Sequence, residues 1–377
     1  MAFKFVHTAD WQIGKPFARF PVEVQSVLRE ARLTAIDRIG ELAMKSGADH
    51  ILVGGDIHDS EGMSDLTLRQ PLEYMRNHKR LTWHLLPGNH DPVRPSGIWD
   101  RVAAASVPGN VRVYLAPEAL NIAPGVSLLV APLRGKTTSE DPTAWMDAAE
   151  TSAGAIRIGL AHGSIGRYGT DDHASVPIDA GRAEKAGLAY LALGDDHGMK
   201  KINDRTWYSG TPEADGWRQN DPGHALLVSI SGPDAPAQVT PERTGQFAWG
   251  QFEAGVDADG SIVGLTDQLE ALPANIRSCL VQLTLKGAVS LGAAQNLDRH
   301  IDRLAARLRH LEPDRSGLRR EAGPEDIAVL GAGTELHKVG TRLMRKLDCA
   351  EASSDEAEIA LQALTELIGR TEEQATP

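Results

Sequence analysis

Five short clusters of acidic, amide and imidazole side chains recur along the chain, each directly behind an apolar run. They are Asp10-Trp11-Gln12 in HTADWQIGK, Asp56 in GGDIHD, Asn89-His90-Asp91 in LPGNHD, His162 in LAHGS, and Asp195 with His197 in LGDDHG. Hydrolysing a phosphodiester near neutral pH needs a strong nucleophile and neutralisation of charge on the phosphoryl oxygens. Two divalent metals about 3.5–4 Å apart supply both, by activating a bridging water and clamping the reacting phosphate. Such a pair requires a shared carboxylate, further oxygen or imidazole ligands, and a group to assist the leaving oxygen. The five clusters contain all of these. Singly, each has a plainer reading: an Asp behind a strand commonly caps a turn, and a lone His is commonly structural. Their joint occurrence, each at a strand end, favours a metal site.

The elements that must carry these clusters can be read from periodicity. FKFVHTAD opens as a strand. In the following stretch Val24, Val27, Leu28, Ala31, Ala35, Ile39 and Leu42 recur at helical spacing, with Gly47 as the stop. HILVGGD and LTWHLLPGNHD are further strands, separated by a helix over DLTLRQPLEYMRNH; VRVYL, VSLLVAPL, IRIGLAHG, LAYLALGD and ALLVSI follow as short strands between Gly/Pro-rich turns. Strand and helix alternate early and strands dominate later. The expected fold class is therefore α/β, a two-sheet sandwich flanked by helices. Near residues 258–268 the pattern changes: SCLVQLTLKG reads as a strand and LGAAQNLDRHIDRLAARLRHL as an amphipathic helix. The expected division is 1–261 for the domain with the clusters, 262–346 for a smaller α+β capping domain, and 347–377 for an acidic helical tail capped at Ser353 or Ser354.

The chain has 377 residues and a formal net charge of −12. Residues 1–230 carry 24 Lys/Arg against 28 Asp/Glu, and the rest 15 against 23. Two divalent cations would roughly cancel the deficit of the first part, since a bound metal is often the largest local charge. Acidity thus leaves a phosphodiester substrate open but argues against coating nucleic acid by charge alone. No apolar run reaches the roughly 18 residues of a membrane span. The start has too short an apolar stretch for a signal peptide, so a cytoplasmic location and no membrane association are expected. Cys279 and Cys349 are the two cysteines, too few and too far apart for a disulfide framework or thiolate zinc site.

The order D-x-(H), GGD-x-x-D, GNHD, H-G and G-x-x-H resembles the calcineurin-like metallophosphoesterase superfamily. TADWQIGK, LPGNHDP, the YSGTPEADGW loop and the trailing α+β unit are most similar to DNA repair exonucleases of the SbcD and YhaO-like type. The motifs cover about residues 5–220, and GNHD is the most specific. The resemblance implies that Asp10, the Gln12 position, Asp56 and His197 hold one metal. Asp56 would bridge to a second, held also by Asn89, His162 and the Asp195 position. His90 would contact the phosphate or protonate the leaving oxygen, with Asp91 orienting its ring. Asp59 matches a commonly acidic place beside the ligands; His58 matches no ligand position, His7 and His84 are read as non-ligands, and His173, close to His162 in sequence, stays open.

Two residues depart from the usual motifs, which have His where Gln12 and Asp195 stand. Both substitutes keep a ligating oxygen, so a working site is expected. The change favours hard ions, Mn²⁺ first and Mg²⁺ second, over zinc or iron. Candidate phosphate contacts are Lys15, Arg94, Arg167 and Lys200, with Arg19, Arg134, Lys136, Lys201 and Arg218 nearby in sequence. Trp11, Tyr168, Trp207 and Trp217 are candidates for stacking on bases; Trp207 reads equally as core. The resemblance implies DNA as substrate, an SMC-like ATPase subunit docked on the C-terminal part, and a homodimer. A phosphodiesterase or phosphatase for small nucleotides and a non-catalytic scaffold binding DNA or an ATPase are the competing readings.

Overall fold

A computed structural model describes residues 2–166, 176–217, 220–257, 260–272, 274–320, 323–348 and 354–375. The chain divides into two compact units, Met1–Phe247 and Ala248–Pro377.

In the first unit β1 (Phe3–Thr8), β2 (His50–Val53), β3 (Thr82–Leu85) and β4 (Val111–Val113) lie side by side in parallel. A second sheet holds β5 (Glu118–Ala123), β6 (Val126–Ala131), β7 (Ile156–His162), β8 (Tyr190–Gly194), β9 (Lys200–Lys201) and β10 (Thr206–Tyr208), in the order β5-β6-β7-β8-β10-β9. β11 (His224–Ile230) returns antiparallel to β1 and β12 (Gln238–Arg243) pairs beyond it, giving β12-β11-β1-β2-β3-β4 for the first sheet. Strands buried on both faces read as unbroken apolar runs; all six residues of β6 are buried.

Phe5, Leu52, Leu128, Leu160, Ala192 and Leu226 form a core shared by the two sheets. Each such side chain contributes about 1.5–3 kcal/mol by leaving water. On the other face of the first sheet, α1 (Val22–Ser46), α2 (Asp65–Asn77) and α3 (Ile98–Ala104) cover Val6, Ile51, Val53 and Trp83. α4 (Arg182–Lys185) contributes Ala183 to the cluster on the outer side of the second sheet. α1 ends as its sequence indicates: Gly47 adopts a left-handed conformation (φ 69°) and its N–H closes on the Ala43 and Met44 carbonyls. Ser64 caps α2, its side chain accepting from the Thr67 N–H. The two-sheet α/β sandwich expected from the strand pattern is what the chain forms.

In the second unit β13 (Ala248–Val256), β14 (Ile262–Val263), β15 (Cys279–Val289) and β16 (His310–Arg320) form a sheet in the order β14-β13-β15-β16. β13, β15 and β16 run parallel. α5 (Thr266–Glu270) precedes β15, and α6 (Leu291–Ala305) is the crossover between β15 and β16, burying Leu297 and Ile301 against Val281 and Leu283. The expected boundary at 261/262 falls inside this unit, because β13 lies ahead of it and pairs with β15 along its whole length. α7 (Pro324–Ala328), α8 (Glu335–Asp348) and α9 (Ser354–Ala375) contain a separate apolar cluster around Ile327, Leu330, Leu364 and Ile368. The helix expected near the C-terminus is therefore packed through its apolar side. Of its two expected caps, Ser353 lies outside the described residues. Among those residues no helix is long and apolar enough to cross a membrane.

Candidate metal centre

The clusters follow the C-terminal ends of β1, β2, β3, β7 and β8, where parallel strands leave a crevice. Behind β1 and β2 the chain continues as paired loops: the Asp10 N–H donates to Gly55 O (3.0 Å), Gln12 N–H to Asp56 O (2.8 Å) and Ile13 N–H to Ile57 O (2.9 Å). These bonds hold Asp10 (φ 55°), Gln12 (φ 41°) and Asp56 (φ 53°) in left-handed conformations; Asp195 (φ 108°) also has positive φ. For a non-glycine residue each such conformation costs on the order of 1–3 kcal/mol and persists only where its surroundings impose it. Two glycines let the loops close on the acidic side chains. A Cβ at Gly88 would lie 2.2 Å from Asp56 Oδ1, and one at Gly55 would lie 2.4 Å from the His162 ring.

Ligand atoms of Asp10, Asp56 and His162 lie within 4.8 Å of one another, and all three residues are buried. His162 donates Nδ1–H to the Gly54 carbonyl at 2.8 Å. That leaves Nε2 facing Asp56 Oδ1 at 3.5 Å and Asp195 Oδ1 at 3.7 Å, with no hydrogen-bond partner. A second N–H held by a carbonyl is the usual arrangement of a metal-binding imidazole. Asn89 Oδ1 is likewise buried and unpartnered. The Asp195 N–H donates to both carboxylate oxygens of Asp10, at 3.1 and 3.2 Å. Burial, together with Asp56 and Asp195, raises Asp10 from 3.8 to about 7 against the opposing pull of His162 and His197. At His162 burial acts to lower the pKa, but Asp56, Asp10 and Asp195 outweigh it and raise it to about 9. The pocket demands positive charge. An oxygen-rich donor set with one free imidazole nitrogen fits a hard divalent cation.

Gln12 and His197, expected as ligands, are engaged otherwise. Lys15 Nζ donates to Gln12 Oε1 at 2.9 Å, and the Gln12 amide N–H donates to His197 Nε2 at 3.1 Å. On its other side the His197 ring meets Asp215 Oδ2 through Nδ1 at 2.9 Å, and Asp215 takes Lys15 Nζ at 2.6 Å. The four side chains close a ring that takes the one lone pair of His197 Nε2 and engages the Gln12 oxygen with Lys15. Burial opposes protonation of His197, while Asp215 and Asp10 raise its pKa overall.

His90 lies at the edge, its side chain 45% exposed, with Nδ1–H donating to the Asp59 carbonyl (2.7 Å) and Nε2 3.9 Å from Asp56 Oδ2. Its own N–H donates to Asp56 Oδ1 at 2.9 Å. Asp91 does not orient this ring, contrary to expectation. Its fully buried carboxylate accepts the Gly88 and His58 N–H groups, at 2.7 and 3.1 Å, and lies 3.3 Å from His58 Nδ1. The Asp59 backbone, rather than an acidic side chain, directs His90. His58 is a loop-bracing residue packed edge-on to Trp99.

Sequence reasoning missed three other residues that build the centre. Arg32, buried on α1, donates to the carbonyls of Asp10 (2.9 Å), Trp11 (2.6 Å) and Glu213 (3.0 Å). Glu213 is also buried and binds Arg38 at 2.8 Å. Asp215 belongs with them; both acids stand in the YSGTPEADGW loop, whose density of polar residues was the available signal. Among the candidate phosphate contacts, Arg94 is half exposed and 3.4 Å from Glu61. Lys200 is exposed and 3.7 Å from Asp196, and Lys15 is in the ring. Arg167, Arg218, Tyr168 and His173 lie outside the described residues. Trp11 is buried against Trp83 and cannot stack on a base. Trp207 packs against the intersheet core. His7 and His84 are core residues, both pushed down to about 3 chiefly by burial.

The profile of the calcineurin-like phosphoesterase family matches residues 3–199. No curated protein matches the chain in sequence. Among solved structures, TT1561 of Thermus thermophilus is similar at 14% identity and a TM-score of 0.41, covering 65% of this chain and 100% of its own. A dimetal phosphatase from Danio rerio is similar at 11% identity and a TM-score of 0.40, covering 63% of this chain and 98% of its own.

Proposed function

The chain belongs to the calcineurin-like phosphoesterase family, and from that premise we propose that it is a metal-dependent DNA nuclease acting in repair. Metal-dependent phosphoester hydrolysis is the chemistry of the family. The carrying observation in this chain is the convergence of Asp10, Asp56 and His162, with Nε2 of His162 and Oδ1 of Asn89 buried and unpaired. These four residues and Asp195 would hold a divalent ion, Mn²⁺ by the hardness of the donors. When bound, the ion would make water a stronger nucleophile and neutralise charge on the phosphoryl oxygens.

The remaining work falls to the protein. The Asp59 carbonyl fixes the Nδ1–H of His90. That leaves Nε2, at the exposed edge, to hold or deliver a proton at the leaving oxygen. Asp91, Gly88 and His58 brace the loop carrying both Asn89 and His90. Arg94 and Lys200 supply exposed positive charge in segments adjoining the clusters. A polymeric diester fits a chain with a second folded unit, Ala248–Pro377, beyond the matched residues. We place an SMC-like ATPase partner on that unit, with a homodimer as the working form in the cytoplasm.

Cleavage of end-labelled single- and double-stranded DNA with added Mn²⁺, beside a chromogenic small diester, tests the proposal. DNA cleavage that disappears in Asn89→Ala is the expected result. Hydrolysis of the small diester alone would move the protein to the small-nucleotide phosphodiesterases. DNA binding with no hydrolysis of either substrate would make it a scaffold.

A further inference from the structure

The donors expected for the two metals are not equivalent. Around Asp56 they are available: His162 Nε2 and Asn89 Oδ1 have no partner, and Asp10 and Asp195 stand beside them. Around Gln12 they are engaged with one another. Gln12 Oε1 accepts from Lys15 at 2.9 Å, and His197 Nε2 accepts from the Gln12 amide at 3.1 Å. Asp215 holds the outer sides of Lys15 and His197, at 2.6 and 2.9 Å. The Lys15 contact also settles which end of the amide is oxygen, since an ammonium donates and cannot accept. The amide N–H therefore points at His197, and a lone pair spent on it is withdrawn from any metal.

Charge gives a second reason. A hard cation binds oxygen at about 2.1 Å. An ion on Gln12 Oε1 would thus lie within about 5 Å of the Lys15 ammonium, counting the 2.9 Å from that oxygen to Nζ. An ammonium at that range already supplies positive charge to this end of the acidic pocket, which lessens its demand for a second cation. Lys15 is suited to stay: its side chain is 26% exposed, and Asp215 is 12% exposed.

We propose that the centre is mononuclear, with the Lys15-Gln12-His197-Asp215 ring closing the second metal position and the Lys15 ammonium standing as the fixed positive charge there. The inference rests on the metal-dependent reading above and specifies its stoichiometry. It ties the departure at Gln12 to its neighbours, because imidazole at that position would offer no carbonyl oxygen to Lys15. A phosphoryl oxygen would then be met by one dication and one ammonium instead of two dications.

The test is a metal count on the full-length chain, saturated with Mn²⁺, desalted and measured by elemental analysis, with electron paramagnetic resonance as a second readout. One ion per chain and an uncoupled Mn²⁺ spectrum are expected. The double substitution Gln12→His with Lys15→Ala should raise the count to two and introduce exchange coupling between the ions. Two ions in the unsubstituted protein would overturn this inference and leave the metal-dependent reading standing. No ion in either protein would overturn both. A double variant that folds, by its circular dichroism, and still binds one ion would show that the ring is not what excludes the second.

Discussion

At one end of the acidic pocket Asn89 Oδ1 and His162 Nε2 are buried without a hydrogen-bond partner; at the other, Lys15, Gln12, His197 and Asp215 bond to one another. Both ends arise from loops behind neighbouring parallel strands, so the difference lies in side-chain pairing and not in scaffold. A buried acceptor without a partner costs about 1–3 kcal/mol. Two such atoms beside three carboxylates are what a bound cation would satisfy. The paired end needs no such compensation. Residue type alone would rank Gln12 and His197 with Asn89 and His162; hydrogen-bond bookkeeping separates them.

The largest expected effect comes from the unpaired end. Asp56 lies between His162 and His90, so Asp56→Ala should abolish divalent-metal binding by calorimetry and reduce phosphoesterase activity below detection. Gly88→Ala should approach the same result by sterics, since its Cβ would fall 2.2 Å from Asp56 Oδ1. Gln12→Ala should leave the ion in place. Equal loss of metal in Asp56→Ala and Gln12→Ala would erase the distinction between the ends.

Next is His90. A positioned acid or base contributes about 10²–10⁴-fold in rate, so His90→Ala should lower single-turnover cleavage by that factor while the ion count stays unchanged. Retention of the ion is expected because Nε2 stands 3.9 Å from Asp56 and the ring is anchored to the Asp59 carbonyl. Loss of metal in this variant would make His90 a ligand.

The carboxylate end also makes stability depend on pH. Asp10 is raised from 3.8 to about 7 and His162 from 6.5 to about 9. Each binds its proton more tightly when folded, so each contributes stability that is complete below its ordinary pKa and lost as pH rises through the raised one. The metal-free protein should therefore melt at progressively lower temperature from about pH 4 to about pH 9. An ion replaces those protons, so the gain in Tm on adding Mn²⁺ should be larger at about pH 8.5 than at about pH 6. A gain independent of pH would mean that the ion does not compete with protons for these groups.

Much of this arrangement is visible in the order of residues. Buried strands read as apolar runs, and a run that stops at Asp10, Asp56, Asn89, His162 or Asp195 places a polar side chain at the strand end, where the crevice lies. The Gly47 stop and the helix over Leu291–Ala305 are legible for the same local reasons. What escapes is pairing over distance. Asp91 beside His90 suggests a dyad, yet its carboxylate turns to His58, which the β2 loop brings to it. Arg32 reads as a surface charge on α1 until the carbonyls of Asp10 and Trp11 are seen to need a donor. Trp11 resembles a base-stacking residue, but its loop turns it inward onto Trp83. The change of unit before β13 is hidden because a strand of either unit looks alike in sequence; only its pairing with β15 tells.

The smallest expected effect belongs to the paired end, and Asp215→Asn isolates it. The carboxylate is drawn far below its ordinary range: burial opposes ionisation, but His197, Arg32 and Lys15 more than compensate. Its stabilising contribution is thus present above the ordinary carboxyl pKa and lost only in strong acid. Asparagine keeps the shape and one acceptor oxygen but removes the charge. Charge-assisted hydrogen bonds are worth about 1.5–3 kcal/mol and neutral ones about 1, so the substitution should cost about 1–2 kcal/mol. For a unit of this size that is a fall of a few degrees in Tm. Since the proposed mononuclear centre leaves Gln12 and His197 out of its ligands, the ion count should stay at one and kcat should change by less than about tenfold, well short of an acid–base residue. Differential scanning calorimetry beside a metal count decides it: a variant that melts normally yet loses its ion would place the ring inside the metal centre and remove the contrast between the two ends.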